Sequence, residues 1–320
     1  MSPRFASISV SKKLLRSTKL AASPAFNGGV PFTPSSFKLP DDIPRPPYAR
    51  IPPMAYSNSS VVKVHTDPVF IDKMRKAGEI AATILDALGK ACTPGISTSD
   101  LNDFAMAHCA KHKVYPSPLG YQNYPAAICT SVNEVVCHGV PNQNVLNDGD
   151  IITVDVTIFR DGVHADCAST FLVGHGTPPE AVKVTDAARA AAACAAASCV
   201  EGASLSAVAL IVDMVAEKFE CSVLPTICGH GIGENFHEAP QVAHTMKILT
   251  KKSIAKLPRL RNGMILTVEP AIATKGCSGK IVIDPRDGWT VRTEDGSFSA
   301  QFEHTVLVTE KGPEILTALP

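Results

Sequence analysis

The segment Asp155-Val156-Thr157-Ile158-Phe159-Arg160-Asp161-Gly162-Val163-His164-Ala165-Asp166 carries two aspartates on either side of a short turn. Its first half belongs to an alternating run rich in β-branched residues, Ile151 to Phe159, which is typical of a strand. Asp161-Gly162 is the dipeptide that best closes a two-residue β-hairpin, in a type I′ turn. We therefore predict a hairpin in which Asp166 faces Thr157.

The predicted register places both aspartates on one face of the sheet. Asp166 is then the diagonal neighbour of Asp155, about 7–8 Å away between Cα atoms. Two buried carboxylates so close repel each other, which raises one pKa unless a cation lies between them. Either aspartate alone would more often be a turn former or a solvated side chain, but the pair indicates a metal site.

Three further side chains extend this candidate ligand set. His230 lies among three glycines, which let the backbone approach closely and leave one imidazole as the strong ligand. Glu269 interrupts the apolar, strand-like run Met264–Pro270, and Glu303 does the same in Phe302–Val308. A carboxylate inside such a run needs a partner. Four carboxylates and one neutral histidine carry a formal charge of −4, which matches two divalent cations.

These motifs resemble those of the type I methionine aminopeptidases, from about Ile71 to Leu319. The resemblance rests on long motifs in the order typical of the family: Tyr115–Leu119, Cys129–Gly139, Gly149–Ile151, Cys228–Gly233, Phe236–Glu238, Val268–Pro270 and Ser299–Thr305. It implies that two metal ions are bound by five ligands, of which Asp166 and Glu303 bridge the metals. The implied ligands are Asp155, Asp166, His230, Glu269 and Glu303.

The resemblance also implies a fold: an α+β, pita-bread domain with a curved antiparallel sheet, helices on its outer face and the metal site between two pseudo-symmetric halves. Apolar periodicity predicts helices over about Met74–Leu88, Leu101–Cys109, Val184–Cys199 and Leu205–Lys218. Thr93-Pro94-Gly95 should stop the first helix, and Ser97 with Asp100 should start the second.

The activity implied is removal of the initiator methionine from nascent chains whose second residue is small. Two metals can hold a bridging hydroxide and bind the free amine of the substrate. By resemblance, Glu269 takes the proton and passes it to the leaving amine. His237 then contacts the scissile carbonyl, and His138 positions the backbone amide of the substrate.

Further residues match a substrate pocket and a second ion site of the family. The methionine pocket is implied to consist of aromatic walls around a flexible thioether, and His138 and His237 bind the substrate as well. Its other members are Tyr121, Tyr124, Cys129, Phe236 and Trp289. A monovalent cation is implied beside Asn133, Val135 and Ser299.

The types of ligand do not determine which metal is bound. One histidine among carboxylates favours Co, Mn or Fe, with Zn also compatible. Two alternatives on the same fold remain at this point: an Xaa-Pro peptidase, disfavoured by the aromatic pocket, and a non-catalytic binding homologue, disfavoured because all five ligand positions are filled. The adjacent Cys137 and His138 are a poor candidate for a cysteine peptidase, since neighbours on a strand point to opposite faces.

The N-terminal residues differ in composition from the rest of the chain. Residues 1–40 contain six basic side chains and no acidic one, which indicates a disordered transit peptide for the mitochondrion. The alternatives are a plastid transit peptide and a basic tail without a targeting function on a cytoplasmic enzyme. Residues 41–66 form a proline-rich linker or surface strap that we expect to stay outside the core. Residues 67–320 form the catalytic domain.

Overall composition gives little indication of further partners. The formal net charge is zero, so no electrostatic argument favours nucleic acid, and no run of about 18 apolar residues could cross a membrane. The ten cysteines include no Cys-x-x-Cys pair and are expected to be reduced. We expect a monomer that acts on N-terminal methionine peptides of nascent chains, a role compatible with contact to the ribosome.

Overall fold

The computed structural model describes residues 37–49 and 61–319. Its helices are α1 Pro68–Ala91, α2 Thr98–His112, α3 Pro179–Ala197, α4 Ser206–Lys218 and α5 Lys251–Ile254, with 3₁₀ turns at Pro47–Ala49, Tyr121–Asn123 and Met246–Ile248. Its strands are β1 Tyr115–Pro116, β2 Cys129–Val132, β3 Val135–Cys137, β4 Ile151–Arg160, β5 Val163–Leu172, β6 Ser222–Val223, β7 Cys228–Gly231, β8 Glu238–Ala243, β9 Ile265–Val268, β10 Ala271–Ala273, β11 Ile281–Ile283, β12 Val291–Thr293, β13 Ser299–Gln301, β14 Glu303–Thr309 and β15 Gly312–Ile315.

The predicted hairpin is formed by β4 and β5. Asp166 pairs with Thr157, and Asp155 pairs with Ala168, so the two aspartates are diagonal neighbours as expected. The turn residues Asp161 and Gly162 both have positive φ, 50° and 88°. A type I′ turn requires this at both positions, which is why the Asp-Gly dipeptide fixes the register.

The hairpin lies within the main antiparallel sheet. Nine strands make up this sheet, in the order β1-β4-β5-β14-β9-β7-β8, with β2 added to β4 and β15 added to β14. The strands that carry the predicted ligands, β4, β5, β14, β9 and β7, are therefore consecutive neighbours. Two three-stranded sheets, β13-β10-β6 and β11-β12-β3, lie beside it.

Two helix pairs cover the sheets, and each pair has its own core. Side chains of α1 and α2 pack with those of β4 and β5, and the largest are fully buried, such as Met74 and Leu101. Side chains of α3 and α4 pack with those of β9, β10 and β14. Most of the α3 contribution is alanine, which lets this helix approach the sheet closely.

The predicted helices are present, with some shifts at their ends. The Ser97–Asp100 capping box forms at the start of α2, and α1 ends at Ala91, with Cys92 as the C-cap before Thr93-Pro94-Gly95. Such a cap stabilises a helix by about 1 kcal/mol. The third helix begins at Pro179, earlier than the predicted Val184, because proline is well tolerated in the first helical turn.

Two predictions about local structure are wrong. Glu269 and Glu303 lie at strand ends rather than inside strands: β9 stops at Val268, and Glu303 begins β14. The backbone N–H of Glu269 donates to Nε2 of the buried His244 instead of joining a ladder, at 3.1 Å.

The proline-rich segment also joins the core, against expectation. Leu39 and Ile43 are only 8% and 2% exposed and belong to the cluster around α1 and α2. The packed chain therefore includes residues from the end of the predicted leader, and apolar residues between prolines were the overlooked signal. Residues 1–36, which hold most of that leader, lie outside the described residues.

Among residues 37–49 and 61–319, no helix is both long and apolar enough to span a membrane.

Candidate metal centre and substrate site

Three of the predicted ligands form the centre of the site. One donor atom from each of Asp166, His230 and Glu303 lies within 4.8 Å of the other two, a spacing at which one cation could contact all three. His230 Nε2 is 3.9 Å from Oδ2 of Asp166 and 3.6 Å from Oε1 of Glu269. The fold thus brings together side chains from β5, β7, the start of β14 and the residue after β9.

The fifth predicted ligand, Asp155, adjoins this group. It interacts directly with Asp166, and its charge acts on Glu269 and Glu303 as well. Oδ1 of Asp155 and Oε1 of Glu303 are buried without a hydrogen-bond partner among the described residues. Buried carboxylate oxygens normally have partners, so these two atoms are the ones that a cation would satisfy.

The buried carboxylates of the cluster destabilise one another's charged forms. Burial raises the pKa of Asp155 to about 6, and burial with the charge of Asp155 raises the pKa of Glu269 to about 8. The pKa values of Asp166 and Glu303 are raised well above their usual range, by burial first and then by the neighbouring carboxylates. Hard oxygen donors that repel one another in this way suit divalent cations.

His230 could bind a cation as a neutral imidazole. Burial lowers its pKa to about 4. Its Nδ1 is 3.0 Å from the carbonyl oxygen of Gly231, which can only accept, so Nδ1 carries the proton and Nε2 has a free lone pair. That lone pair faces Asp166 and Glu269. Metal-binding histidines are commonly fixed in this tautomer by a bond from the other nitrogen.

Three polar residues that the sequence analysis did not single out orient the carboxylates. Thr157 Oγ1 donates to Asp166 at 2.7 Å, and Thr267 Oγ1 donates to Glu269 at 2.8 Å while accepting from the backbone N–H of His230 at 2.9 Å. Gln301 donates to the carbonyl and carboxylate oxygens of Glu269, at 3.0 and 3.3 Å. The predicted pairing of Thr157 with Asp166 could have identified the first of them.

His237 lies beside the cluster. Its ring centroid is 4.2 Å from that of His230, and its Nδ1 is 3.0 Å from the hydroxyl oxygen of Tyr121. Its pKa is lowered well below the usual range by burial and then by neighbouring histidines, His138 among them. The two histidines predicted to touch substrate are therefore close enough to influence each other, and burial also lowers the pKa of His138.

The predicted pocket residues form two aromatic groups. Tyr121 packs on Phe236 with ring centroids 4.8 Å apart, and Tyr124 meets the edge of Trp289 at 5.3 Å. Cys129 packs with Tyr124 and Trp289 in a small apolar cluster, and His138 also approaches Trp289. Tyr121 and Phe236 thus lie next to His237, and the group of Tyr124, Cys129 and Trp289 approaches His138 through Trp289.

The residues predicted to bind a monovalent cation are neighbours. The carbonyl of Asn133 accepts from the backbone N–H of Ser299 at 2.8 Å, in a backbone conformation with φ of 55° at Asn133. The hydroxyl of Ser299 is buried without a hydrogen-bond partner among the described residues. Val135 lies on β3, which packs against the strand of Ser299.

Cys137 and His138 do not form a cysteine-peptidase pair. Cys137 and His138 do not share a strand, since β3 ends at Cys137 and His138 follows with φ of 55°. Burial raises the pKa of the Cys137 thiol, so it is protonated at neutral pH. All ten cysteines are free.

Comparison with known proteins identifies the class to which this site belongs. The family model for metallopeptidase family M24 matches residues 72–310, and the chain belongs to this family. Methionine aminopeptidases are among its relatives. Methionine aminopeptidase A of Synechocystis is 44% identical over 258 residues, covering 77% of this chain and 94% of that protein.

Two further comparisons agree. The crystal structure of methionine aminopeptidase from Rickettsia prowazekii aligns with a TM-score of 0.75 at 37% identity, over 81% of this chain and all of that one. Arabidopsis thaliana methionine aminopeptidase 1D, chloroplastic/mitochondrial, is 37% identical over 87% of this chain and 76% of that protein. The pita-bread fold and the type I assignment are thereby confirmed, and the Xaa-Pro and non-catalytic alternatives are not favoured.

Proposed function

We propose that this protein removes the initiator methionine from nascent chains whose second residue is small. The observation that carries the proposal is the buried group of four carboxylates and one neutral histidine, placed beside an aromatic pocket in a chain of the methionine aminopeptidase family. A metal-dependent aminopeptidase needs both parts: a place for cations and a place for the first side chain of the substrate.

The metal ligands we propose are the five predicted side chains, with Asp166 and Glu303 shared between two ions. They are Asp155, Asp166, His230, Glu269 and Glu303. When bound, the divalent ions supply an activated water at neutral pH and an anchor for the free amine of the substrate. Co, Mn and Fe suit this donor set, and Zn is compatible with it.

Glu269 moves the proton. Its carboxylate would take a proton from the attacking water and deliver it to the nitrogen of the leaving amine. Thr267 and Gln301 hold this carboxylate in place from two sides, at 2.8 and 3.3 Å. A fixed orientation keeps the basic oxygen directed at the substrate in both proton transfers.

His237 stabilises the oxyanion. If the Tyr121 hydroxyl donates to Nδ1, the proton of the neutral imidazole lies on Nε2, where it can be donated to the carbonyl oxygen of the scissile bond. Burial lowers the pKa of His237, which keeps the ring neutral at neutral pH. His138 holds the backbone amide of the substrate.

The aromatic groups supply specificity for methionine. Tyr121 and Phe236 form one wall, and Tyr124, Cys129 and Trp289 form the other. A flexible thioether makes favourable contacts with aromatic rings, whereas a charged or short side chain gains little there. Asn133, Val135 and Ser299 would hold a monovalent cation nearby, through mostly carbonyl oxygens, as a structural support.

A peptide panel tests the proposed function. We expect the purified full-length protein with added divalent metal to release methionine from Met-Ala-Ser and from Met-Gly peptides. Met-Lys peptides should be cut poorly because the second side chain is too large, and Ala-Pro peptides because the pocket is unfilled. Preferential cleavage of the Ala-Pro peptides would overturn the proposal in favour of an Xaa-Pro peptidase.

The N-terminal leader is proposed to direct the protein to the mitochondrion, where the substrates would be nascent chains of that compartment. Its six basic and no acidic side chains support an organellar address, and the Arabidopsis relative is named for two organelles. Fusion of residues 1–36 to a fluorescent protein tests the address. Diffuse cytosolic signal would contradict it, and plastid signal would correct it.

The catalytic domain should not need that leader. Deletion of residues 1–36 is expected to leave peptide turnover unchanged, whereas a deletion that extends through Leu39 removes a core side chain. We further propose a monomer, to be checked by light scattering of the purified protein, with dimerisation as the contradicting outcome.

A further inference from the structure

The segment before the catalytic domain reaches the substrate site. We call residues 37–49 the N-terminal strap. Its Tyr48 donates a hydrogen bond from the hydroxyl to the carbonyl oxygen of Ser117 at 2.6 Å. The ring of Tyr48 meets the ring of Tyr121 edge-on, with centroids 5.2 Å apart, and stacks over His164 at 6.2 Å. Tyr48 therefore packs directly on the side chain that binds His237.

His164 extends the contact between strap and site. It is 1% exposed, and its Nδ1 is 2.8 Å from the hydroxyl oxygen of Ser117, the residue whose carbonyl binds Tyr48. On its other side, its ring lies 5.6 Å from that of Phe236 and nearly parallel to it. The strap thus contacts Tyr121 directly and Phe236 through one buried ring.

A second N-terminal segment holds the loop Gly233–Glu238 from another direction. Lys63 contacts Glu238 at 2.8 Å and Glu234 at 2.9 Å. Glu238 Oε1 also accepts two hydrogen bonds from Asn235, from its backbone and its side chain, both at 2.9 Å. Val62 forms a parallel bridge with Ala239 directly after the loop.

The Lys63–Glu238 ion pair is largely shielded from solvent. The Glu238 side chain is 3% exposed and that of Lys63 is 28% exposed, so solvent screens this pair less than a surface pair. The loop that it fixes carries Phe236 and His237. Lys63 therefore contacts the loop on which the proposed oxyanion donor lies, and the strap reaches the same loop through Tyr121 and His164.

We propose that Tyr48 and Lys63 are positioning residues for His237, so that the residues before the catalytic domain form part of its substrate site. Tyr48 acts through Tyr121, and Lys63 acts through Glu238. A hydrogen-bond donor to a transition state must be placed within a few tenths of an ångström, and small displacements from remote changes reduce turnover strongly. This inference rests on the proposed role of His237.

A double-mutant cycle tests the role of Tyr48. We expect Tyr48→Ala to lower kcat by about 10–100-fold with little change in KM. Tyr48→Phe keeps the ring contacts with Tyr121 and His164 and loses the bond to Ser117, so it should restore most of the turnover. In a His237→Ala background, Tyr48→Ala should cause no further loss, because the residue that it positions is gone.

The other outcomes of the cycle are informative. If Tyr48→Ala lowers kcat by the same factor with and without His237, or has no effect in the parent protein, the positioning role is wrong. If His237→Ala alone leaves kcat unchanged, the proposed function of His237 fails instead. Metal content and melting temperature of each variant distinguish a displaced His237 from a misfolded protein.

Lys63 is tested against a surface lysine. Lys63→Met should lower kcat by a smaller factor, again only when His237 is present. Lys76→Met is the matched control, because Lys76 pairs with Asp72 on the exposed face of α1, with both side chains more than half exposed. Equal effects of the two substitutions, or an effect of Lys63→Met that persists without His237, would contradict the proposal.

Discussion

The hairpin β4–β5 and the loop Gly233–Glu238 both bring polar side chains to the site, but different interactions hold them. The hairpin is an unbroken ladder of paired residues, closed by a turn whose sequence fixes its register. The middle of the loop pairs with no strand among residues 37–49 and 61–319, and side chains from distant parts of the chain, Lys63 and Tyr121, hold it. The metal cluster should therefore depend on local backbone structure, whereas the position of His237 should depend on long-range packing.

The largest expected effect comes from the hairpin. Asp166→Asn should abolish both metal binding and methionine release, since it removes the charge of a central ligand while keeping its shape. The metal-free variant should be no less stable than the metal-free parent, because one repelling carboxylate is gone. Elemental analysis and thermal melting check both points.

Asp161→Asn provides the control for that variant. Asp161 lies at the exposed tip of the same hairpin, and asparagine tolerates the positive φ there. This change should leave metal content and turnover intact. Retention of two metal ions by Asp166→Asn would exclude Asp166 as a shared ligand.

The second effect comes from the loop. His237→Ala should keep its metals and lose on the order of 10²–10³ in kcat, as expected for removal of one oxyanion donor. The exposed His175 is a suitable control for alanine substitution, with no loss expected. Loss of metal from His237→Ala would show instead that His237 is a ligand, and the contrast between hairpin and loop would fail.

The same contrast explains what the sequence could predict. The register of β4–β5 follows from alternation and from Asp161-Gly162, so the diagonal placement of Asp155 and Asp166 could be predicted from the residues alone. His230, Glu269 and Glu303 could be selected by residue type, but only the resemblance implied that they converge. Their convergence depends on the neighbouring order of β5, β14, β9 and β7, which the structure shows. The predicted positions of the two glutamates inside strands were wrong, since both lie at strand ends.

The contacts of the N-terminal strap could not be predicted at all. Tyr48 lies 73 positions before Tyr121 in the sequence, and nothing in local periodicity links the two. The proline-rich composition indicated a surface segment, but Leu39 and Ile43 are core residues. Composition averages over a segment, whereas burial depends on single apolar side chains within it.

A smaller effect is expected from the residues that orient the ligands. Thr267→Val removes one bond to Glu269 and one to the backbone of His230, and should weaken metal affinity by about 10–100-fold. Titration of the chelated protein with Mn measures this affinity. Thr83→Val on α1 is the control, because its hydroxyl bonds only within the helix. Unchanged affinity in Thr267→Val would mean that the ligands are held by the backbone alone.

The smallest effect concerns pH and the metal-free protein. Burial raises the pKa of Asp155 from 3.8 to about 6 and that of Glu269 from 4.5 to about 8. Folding therefore favours the protonated forms of both side chains. Their contribution to the free energy of unfolding is fully present below about pH 4 and is lost as the pH rises through 6 and 8. Urea unfolding of the chelated protein at several pH values should show the decline, and Glu269→Gln should reduce it. A metal-free protein that gains stability over this range would contradict the raised pKa values.

The most direct test of the account is a metal titration of the chelated full-length protein, followed by release of methionine from Met-Ala-Ser and by the number of ions bound per chain. We predict no turnover without metal, activity that rises with added Mn or Co, and binding of two ions at saturation. Methionine release by the fully chelated protein, or saturation of activity without any bound ion, would contradict the claim that the five side chains form a metal centre.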